Sequence, residues 1–310
     1  MARIALSDPP HRLEREQHGW PRGLDDLDDP PAQLSIAGCL PALEGAVAIV
    51  GTRFADEDAL EFTRRLAAGI AARGRVVVSG GAAGIDAAAH EGALEAGGKT
   101  IAVLATGLAQ AYPAHHAPLF AQIAQSGALL SEFNDPGLRP KGWAFLRRNR
   151  LVAALAPNVV IVQAPMRSGA LSTASWAKRL KRRVFVVPGA PWDVRAGGCL
   201  SLLAQGAEIC ASIEDVLSVG PSRGRRRRTK LAENPAEEYK DDAGLSAQAR
   251  AVRLWLRVRR AHPDEISAAL DLPAAEVQEA LLVLMLSGAC RQRADGSYET
   301  TAPAKSVFET

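Results

Sequence analysis

The sequence predicts an α/β protein: a doubly wound, mostly parallel sheet followed by a small C-terminal winged-helix domain. Three observations predict it. Short apolar runs rich in Val and Ile alternate with helical segments between about Ala46 and Ser218. A glycine-rich turn, Ser79-Gly80-Gly81-Ala82-Ala83-Gly84, joins one such run to an alanine-rich helix, as happens at the ligand-binding rim of parallel sheets. After a charged stretch with nothing to form a core, a helix, helix, turn, helix, hairpin order begins near Leu245.

Taken in order, residues 1–44 hold no long periodic segment. HGWPRGLDDLDDPPAQL is rich in Pro and Asp and predicts an irregular arm packed on the sheet domain. AVAIV (46–50) is a strand, followed by Gly51-Thr52-Arg53 and a helix over 56–73. RVVVS, TIAVLAT and ALLSE, near 75, 100 and 128, are further strands, with helices near 85–96 and 116–126 between them. NVVIVQ (158–163) and RVFVV (183–187) are two more, separated by a helix over 169–180. Strands alternating with helices imply parallel crossovers, so residues 45–218 form one sheet domain. Its ligands belong at the carboxyl ends of the strands. That rule places Gly51-Thr52-Arg53, Ser79-Gly80-Gly81 and Met166-Arg167-Ser168-Gly169 along one rim.

Residues 219–243 read as a linker, with six basic residues between Arg223 and Lys230 and then a run of acids. The basic run is either a solvated tether or a nucleic-acid contact. Residues 244–302 form the winged module. AVRLWLRVRR has helical spacing, PDEISAAL opens with Pro in its first turn, and Asp295-Gly296 signals a hairpin. Its recognition helix, 274–286, carries Glu276 and Glu279 and no Lys or Arg, unlike a helix built for the major groove. A protein partner, or weak DNA contact, is expected of it.

Composition excludes several classes. With 310 residues, 47% hydrophobic and 23% charged, the chain reads as an ordinary soluble globular protein of one or two domains. A net charge of +3 means that any basic partner surface is local. Cys39, Cys199, Cys210 and Cys290 show no C-x-x-C and no His at metal spacing, which argues for a reducing cytoplasm and against a metal site. The start, MARIALSDPPHRLERE, has no apolar signal stretch. The apolar run 151–162 is broken by Pro157-Asn158 and too short for a bilayer.

The chemistry gathers at the rim. Glycines at 80, 81 and 84 let backbone approach a ligand, and the helix behind them points free N–H groups and its positive dipole end at the same place. That makes an anion site, though it fits neither G-x-G-x-x-G nor a P-loop. The alternative is a turn that needs glycine for packing alone. Arg53 follows a strand end, where its planar fork can grip phosphate or stack on a base, or else form a surface ion pair. WAFLRRNR (143–150) sets aromatic beside cationic groups, the pairing that a single-strand site uses. Its alternative is core aromatics with solvated arginines. MRSGALSTASWA is a second Gly/Ser loop entering a helix. No catalytic constellation emerges: His115-His116 lacks a suitably spaced carboxylate or nucleophile. Glu132 in SEF is placed to orient Arg148 or Arg150, and Asp86 reads as a structural acid in a first helical turn.

VAIVGTR, VSGGAAGIDAAAH, SEF, FLRRNRLVAAL, SGALSTA and VFVVPG follow one another in the order and spacing of the DNA-processing protein A (Smf) family. The resemblance covers about residues 20–218, and the C-terminal module fits as well. It implies an extended Rossmann-like domain that binds single-stranded DNA, with no cofactor and no enzymatic turnover. It further implies a role in natural transformation: protecting incoming strands, displacing single-strand-binding protein and loading the RecA recombinase. A homodimer through the Rossmann-like domain is implied too. Carried over motif by motif, the DNA contacts are Arg53, Ser79, Gly80, Gly81, Gly84, Phe145, Arg148, Asn149, Arg150, Ser168, Gly169 and Thr173. Asp86 and Glu132 are their support, and Lys141 lies near a basic position of the family. Departures are Thr52 for the serine of G-S-R, Leu146 where proline is usual, and Ala144 for a polar residue. An N-terminal helical domain found in some members is absent or truncated here. The main rival is a nucleoside monophosphate phosphoribohydrolase of the cytokinin-activating (LOG) type. Its P-G-G-x-G-T-x-x-E acid would fall at Ser175-Trp176, which carry none. A sequence-specific regulator, resting on the winged module alone, is disfavoured by the acidic recognition helix.

Overall fold

A computed structural model describes residues 2–133, 135, 142–217, 245–258, 260–293 and 295–300, and the chain divides into two units at Gly220. Lys141, the basic run from Arg223 to Lys230 and the rest of the expected linker lie outside the described residues.

In the first unit, Ala2–Arg3 (β1) and His11–Glu14 (β2) precede Gln33–Gly38 (β3). The apolar runs then form Val47–Gly51 (β4), Val77–Ser79 (β5) and Thr100–Val103 (β6). Gln110–Ala111 (β7), Ala128–Ser131 (β8), Asn158–Val162 (β9), Arg183–Val186 (β10) and Glu208–Ile209 (β11) complete the strands. The helices are Glu57–Ala72 (α1), Ile85–Glu95 (α2), Ala117–Ser126 (α3), Gly142–Ala154 (α4), Gly169–Arg179 (α5), Gly197–Ala204 (α6) and Ile213–Leu217 (α7).

Nine strands share one sheet in the order β11-β10-β9-β4-β5-β6-β8-β3-β2. From β11 to β8 every pairing is parallel. β3 pairs antiparallel with β8, and β2 antiparallel with β3. The stretch expected to be an irregular arm, 18–34, holds one short 3-10 turn, Arg22–Asp26, and runs from the end of β2 to the start of β3, two strands that the sequence of residues 1–44 does not reveal. Leu34 and Ile36 alternate into the core from β3, and Trp20, Leu24 and Leu27 pack beside them. Six residues between Pro-rich turns are too short a run to show that period in sequence.

Successive residues of the central strands face opposite ways. Ala48, Val50, Val78 and Ile161 pack with Leu151, Val152, Ala174 and Cys199 from α4, α5 and α6. Val47, Ile49, Val77 and Val160 pack with Leu66, Ile70 and Ala89 from α1 and α2. Burial on both faces is why these strands read as unbroken apolar runs. The strand order reverses between β4 and β9, where diverging crossovers leave a crevice beyond the carboxyl ends.

The second unit holds Ala247–Val258 (α8), Pro263–Leu270 (α9), Ala274–Leu286 (α10) and an antiparallel hairpin of Cys290–Gln292 (β12) with Tyr298–Thr300 (β13). Val252, Leu256, Ile266, Val277, Leu281 and Leu284 form its core. This is the winged-helix order read from the sequence. Gly296, at φ +82° between β12 and β13, supplies the left-handed residue that a tight hairpin needs. Among the described residues no helix is long and apolar enough to cross a membrane, and no His, Cys, Asp and Glu side chains gather as a metal site would require.

Candidate nucleic-acid interface

The crevice opens where the loop after β4 meets the turn between β5 and α2. Thr52 donates its N–H to Gln163 O at 2.8 Å, and its own carbonyl accepts from Ile85 N at 3.2 Å. Gly84 has φ +79°, and a Cβ there would sit 2.4 Å from Thr52 O. Only glycine lets these two backbones touch in that conformation. Beyond the junction, Asp56 caps α1 by accepting from Ala59 N at 2.8 Å, and its other oxygen accepts from Gln163 Nε2 at 2.7 Å. These hydrogen bonds hold the Asp56 carboxyl below its ordinary range. Arg53, between the two anchors, is exposed.

The glycine turn is braced from behind. Ser79 Oγ donates to Ile49 O at 2.5 Å and is fully buried. His90 Nε2 lies 2.7 Å from Gly80 O, and His116 Nδ1 lies 3.2 Å from Gly81 O. Burial pushes His90 down to about 4, so the ring is neutral at physiological pH. His90 Nε2 donates to Gly80 O, and the Thr100 hydroxyl, 2.7 Å from Nδ1, donates to Val77 O at 2.8 Å. With their carbonyls turned to the histidines, the glycines are locked in place. The Arg148 guanidinium packs against the bare Cα of Gly80: an added Cβ would stand 1.8 Å from Arg148 Nη1 and 2.3 Å from Asp86 Oδ2. Asp86 accepts from Ala82 N at 3.4 Å; burial raises its carboxyl, against the pull of Arg148 and Arg53.

Helix α4 crosses the front of the crevice. Phe145 is half-buried, with its ring 5.5 Å from that of Tyr112 and 5.2 Å from the Arg53 guanidinium. Trp143 is 53% exposed, so neither aromatic is core, and the alternative reading of this motif fails on that point. Arg148 donates to Val103 O at 2.9 Å, and its Nε has no hydrogen-bond partner among the described residues. Asn149 Nδ2 donates to Gly169 O at 3.1 Å, tying α4 to the start of α5. There Ser168 caps the helix, accepting from Ala170 N at 3.2 Å.

A crevice of about 530 Å³ is thus lined by Arg53, Asp86, Phe145, Arg148, Asn149, Ser168, Gly169 and Thr173. Gly80, Gly81 and Gly84 do not line it themselves: Gly80 backs Arg148 and Asp86, Gly84 backs the Thr52–Arg53 backbone, and Gly81 faces Leu104 and Phe120. Two further expected contacts turn out otherwise. The Ser79 hydroxyl is spent inside the sheet. Arg150 points the other way, pairing with Glu132 and donating to Asp29 O at 2.7 Å, because a buried guanidinium goes where a carboxylate can meet it. Glu132 therefore orients Arg150 and Arg147, not Arg148. Arg167, expected on the rim with its Gly/Ser loop, also lines the crevice, as does Phe54, which no motif in the sequence singles out. His90 and His116 escape a motif-based reading as well; a lone histidine closing the otherwise alanine face of GIDAAAH is the signal that points to the first.

The family model described as DNA recombination-mediator protein A matches residues 11–220. The chain belongs to that family. A second model, the DprA winged helix domain, matches residues 236–296. Among relatives of this DprA family chain, a putative DNA processing protein DprA of Mycobacterium tuberculosis is 41% identical over 261 residues, 82% of this chain and 64% of that one. The chain thus spans somewhat under two thirds of that relative's length. The DNA processing protein DprA of Bacillus subtilis is 37% identical over 206 residues, 66% of this chain and 69% of its own. The solved structure of DNA processing protein A from Streptococcus pneumoniae superposes with a TM-score of 0.65 at 36% identity, covering 68% of this chain and 75% of that one. The Helicobacter pylori structure, described for its single-stranded DNA binding mode, gives 0.62 at 34% identity, covering 69% and 95%.

Proposed function

We propose that this DprA family chain binds single-stranded DNA in the crevice and acts as a recombination mediator. It protects incoming strands in natural transformation and loads the RecA recombinase in place of single-strand-binding protein, in the cytoplasm and as a homodimer. The observation that carries the reading is Arg53 held over the Phe145 ring at the sheet's switch point, between two loops that open helices. An aromatic face for a base and a cation for its phosphate is what sequence-tolerant single-strand binding needs. Residues 45–218 bind the strand on this reading, and the winged unit at 244–302 meets a protein. In support of the latter, α10 exposes Leu282 and Leu286 beside Glu276 and Glu279 and carries no Lys or Arg.

The two kinds of contact separate in one experiment, fluorescence anisotropy with oligo(dT) across a salt series. Phe145→Ala weakens binding by roughly ten-fold with an almost unchanged salt slope, since a stack is worth ~1–3 kcal/mol. Arg53→Ala also weakens binding, but with a slope shallower by about one, since it removes a phosphate contact. Identical slopes for the two variants would contradict these assignments.

No nucleotide turnover is part of the proposal. Among the described residues that line the crevice, Asp86 is the one carboxylate. Burial pushes Cys199 up to about 11 and Cys210 up to about 12, far from the thiolate that a nucleophile needs. Incubation with AMP is expected to release no adenine; release abolished by Asp86→Asn would establish the phosphoribohydrolase instead.

A further inference from the structure

Trp192 is 86% exposed, the highest exposure among the large apolar side chains of the described residues. An indole left in water costs hydration free energy that folding ordinarily recovers, and here the loop is built to keep it out. Asp193 N donates to Ala190 O at 3.0 Å, closing a turn with Pro191 and Trp192 at its centre. Asp193 Oδ1 accepts from Arg195 N at 2.9 Å and from Arg195 Nε at 3.0 Å. Arg195 then reaches Asp56 at 3.0 Å, the residue that caps α1 three positions after Arg53. The turn follows β10, so it rises from the same carboxyl rim as the crevice. β10 lies two strands from β4, about 10 Å across the sheet.

We infer that Trp192 is a second base-stacking platform, and that a bound single strand runs from the Arg53–Phe145 crevice over the ends of β9 and β10 to reach it. The inference rests on the single-strand reading above and extends it. Asp56 and Asp193 lie along the way, and Arg195 bridges them but offsets only one of their two charges, so a base stacks on the indole with its phosphate turned to solvent, away from the carboxylates. The contact at Trp192 is therefore one of stacking and not of charge. It adds affinity only for strands long enough to span both platforms.

The test uses the full chain with Trp192→Ala and Trp192→Phe, and oligo(dT) of about 5 and about 20 nucleotides, which bracket the usual range of single-strand site sizes. Trp192→Ala is expected to lose roughly ten-fold in affinity for the long oligonucleotide, with unchanged salt slope and unchanged affinity for the short one. Trp192→Phe restores most of the loss. Tryptophan emission of the wild type is quenched by the long oligonucleotide, and the quenching falls in Trp192→Phe. Equal affinity of wild type and Trp192→Ala for the long strand would overturn the inference while leaving the crevice reading intact. Equal affinity together with altered sedimentation would overturn it too, assigning Trp192 and the neighbouring exposed Val194 to contact between copies of the chain. A wild type that binds neither oligonucleotide would remove the crevice reading itself.

Discussion

Glu132→Gln is expected to destabilise the first unit by about 3–5 kcal/mol, the cost of leaving a buried guanidinium without its partner. The Glu132 and Arg150 side chains are 4% and 5% exposed, and the same carboxylate holds Arg147. Burial, with the neighbouring Arg147 charge, pulls the Arg150 guanidinium down, and Glu132 opposes it. Arg150 also donates to Asp29 O in the N-terminal segment, so the pair joins α4, the end of β8 and that segment. Thermal melting should show a fall on the order of 10 °C for a unit of this size. A melting temperature within a degree or two of wild type would mean that the pair is not the clamp described here.

A loss of about 3 kcal/mol is expected between near-neutral pH and pH 4, and His90 is its source. The folded protein holds His90 near 4, well below its ordinary 6.5, because burial strips the charged ring of water and the His116 and Arg148 charges add to this, against the pull of Gly80 O. A histidine depressed in the fold favours the unfolded chain once protonated. Its stability contribution is complete above about 6.5 and is lost as pH falls from there towards 4. His116, also lowered by burial, adds in the same direction. Denaturant unfolding of wild type and His90→Gln across that window separates the two: the variant is less stable at neutral pH, and its slope against pH is shallower. Parallel slopes would contradict the assignment.

Much of the sheet is legible in the sequence because its strands are buried on two faces. Runs such as VAIV and NVVIV between turns read as parallel strands, and β4, β5, β6, β8, β9 and β10 all come from such runs. β2 and β3 do not, since Leu34 and Ile36 make too short an alternation among prolines and aspartates. Helix α4 is hidden for a different reason. Its inward face carries Arg148, Asn149 and Arg150, each offset by a tertiary partner that sequence spacing does not reveal: Val103 O, Gly169 O and Glu132. The rim is legible through its glycines and Arg53. Which residues face it is not, because a serine after a strand looks the same whether its hydroxyl meets a ligand or, as at Ser79, the next strand's carbonyl. The stacking of Arg53 on Phe145 joins residues far apart in sequence, and only the reversal of strand order between β4 and β9 brings them together.

The central claim is that the crevice prefers a single strand, and a gel shift comparing poly(dT) with its duplex at matched salt tests it most directly, with wild type and Arg53→Ala side by side. Wild type is expected to shift the single strand at lower protein concentration than the duplex, and Arg53→Ala to lose most of that shift. Equal or tighter binding to the duplex, unaffected by Arg53→Ala, would contradict the account.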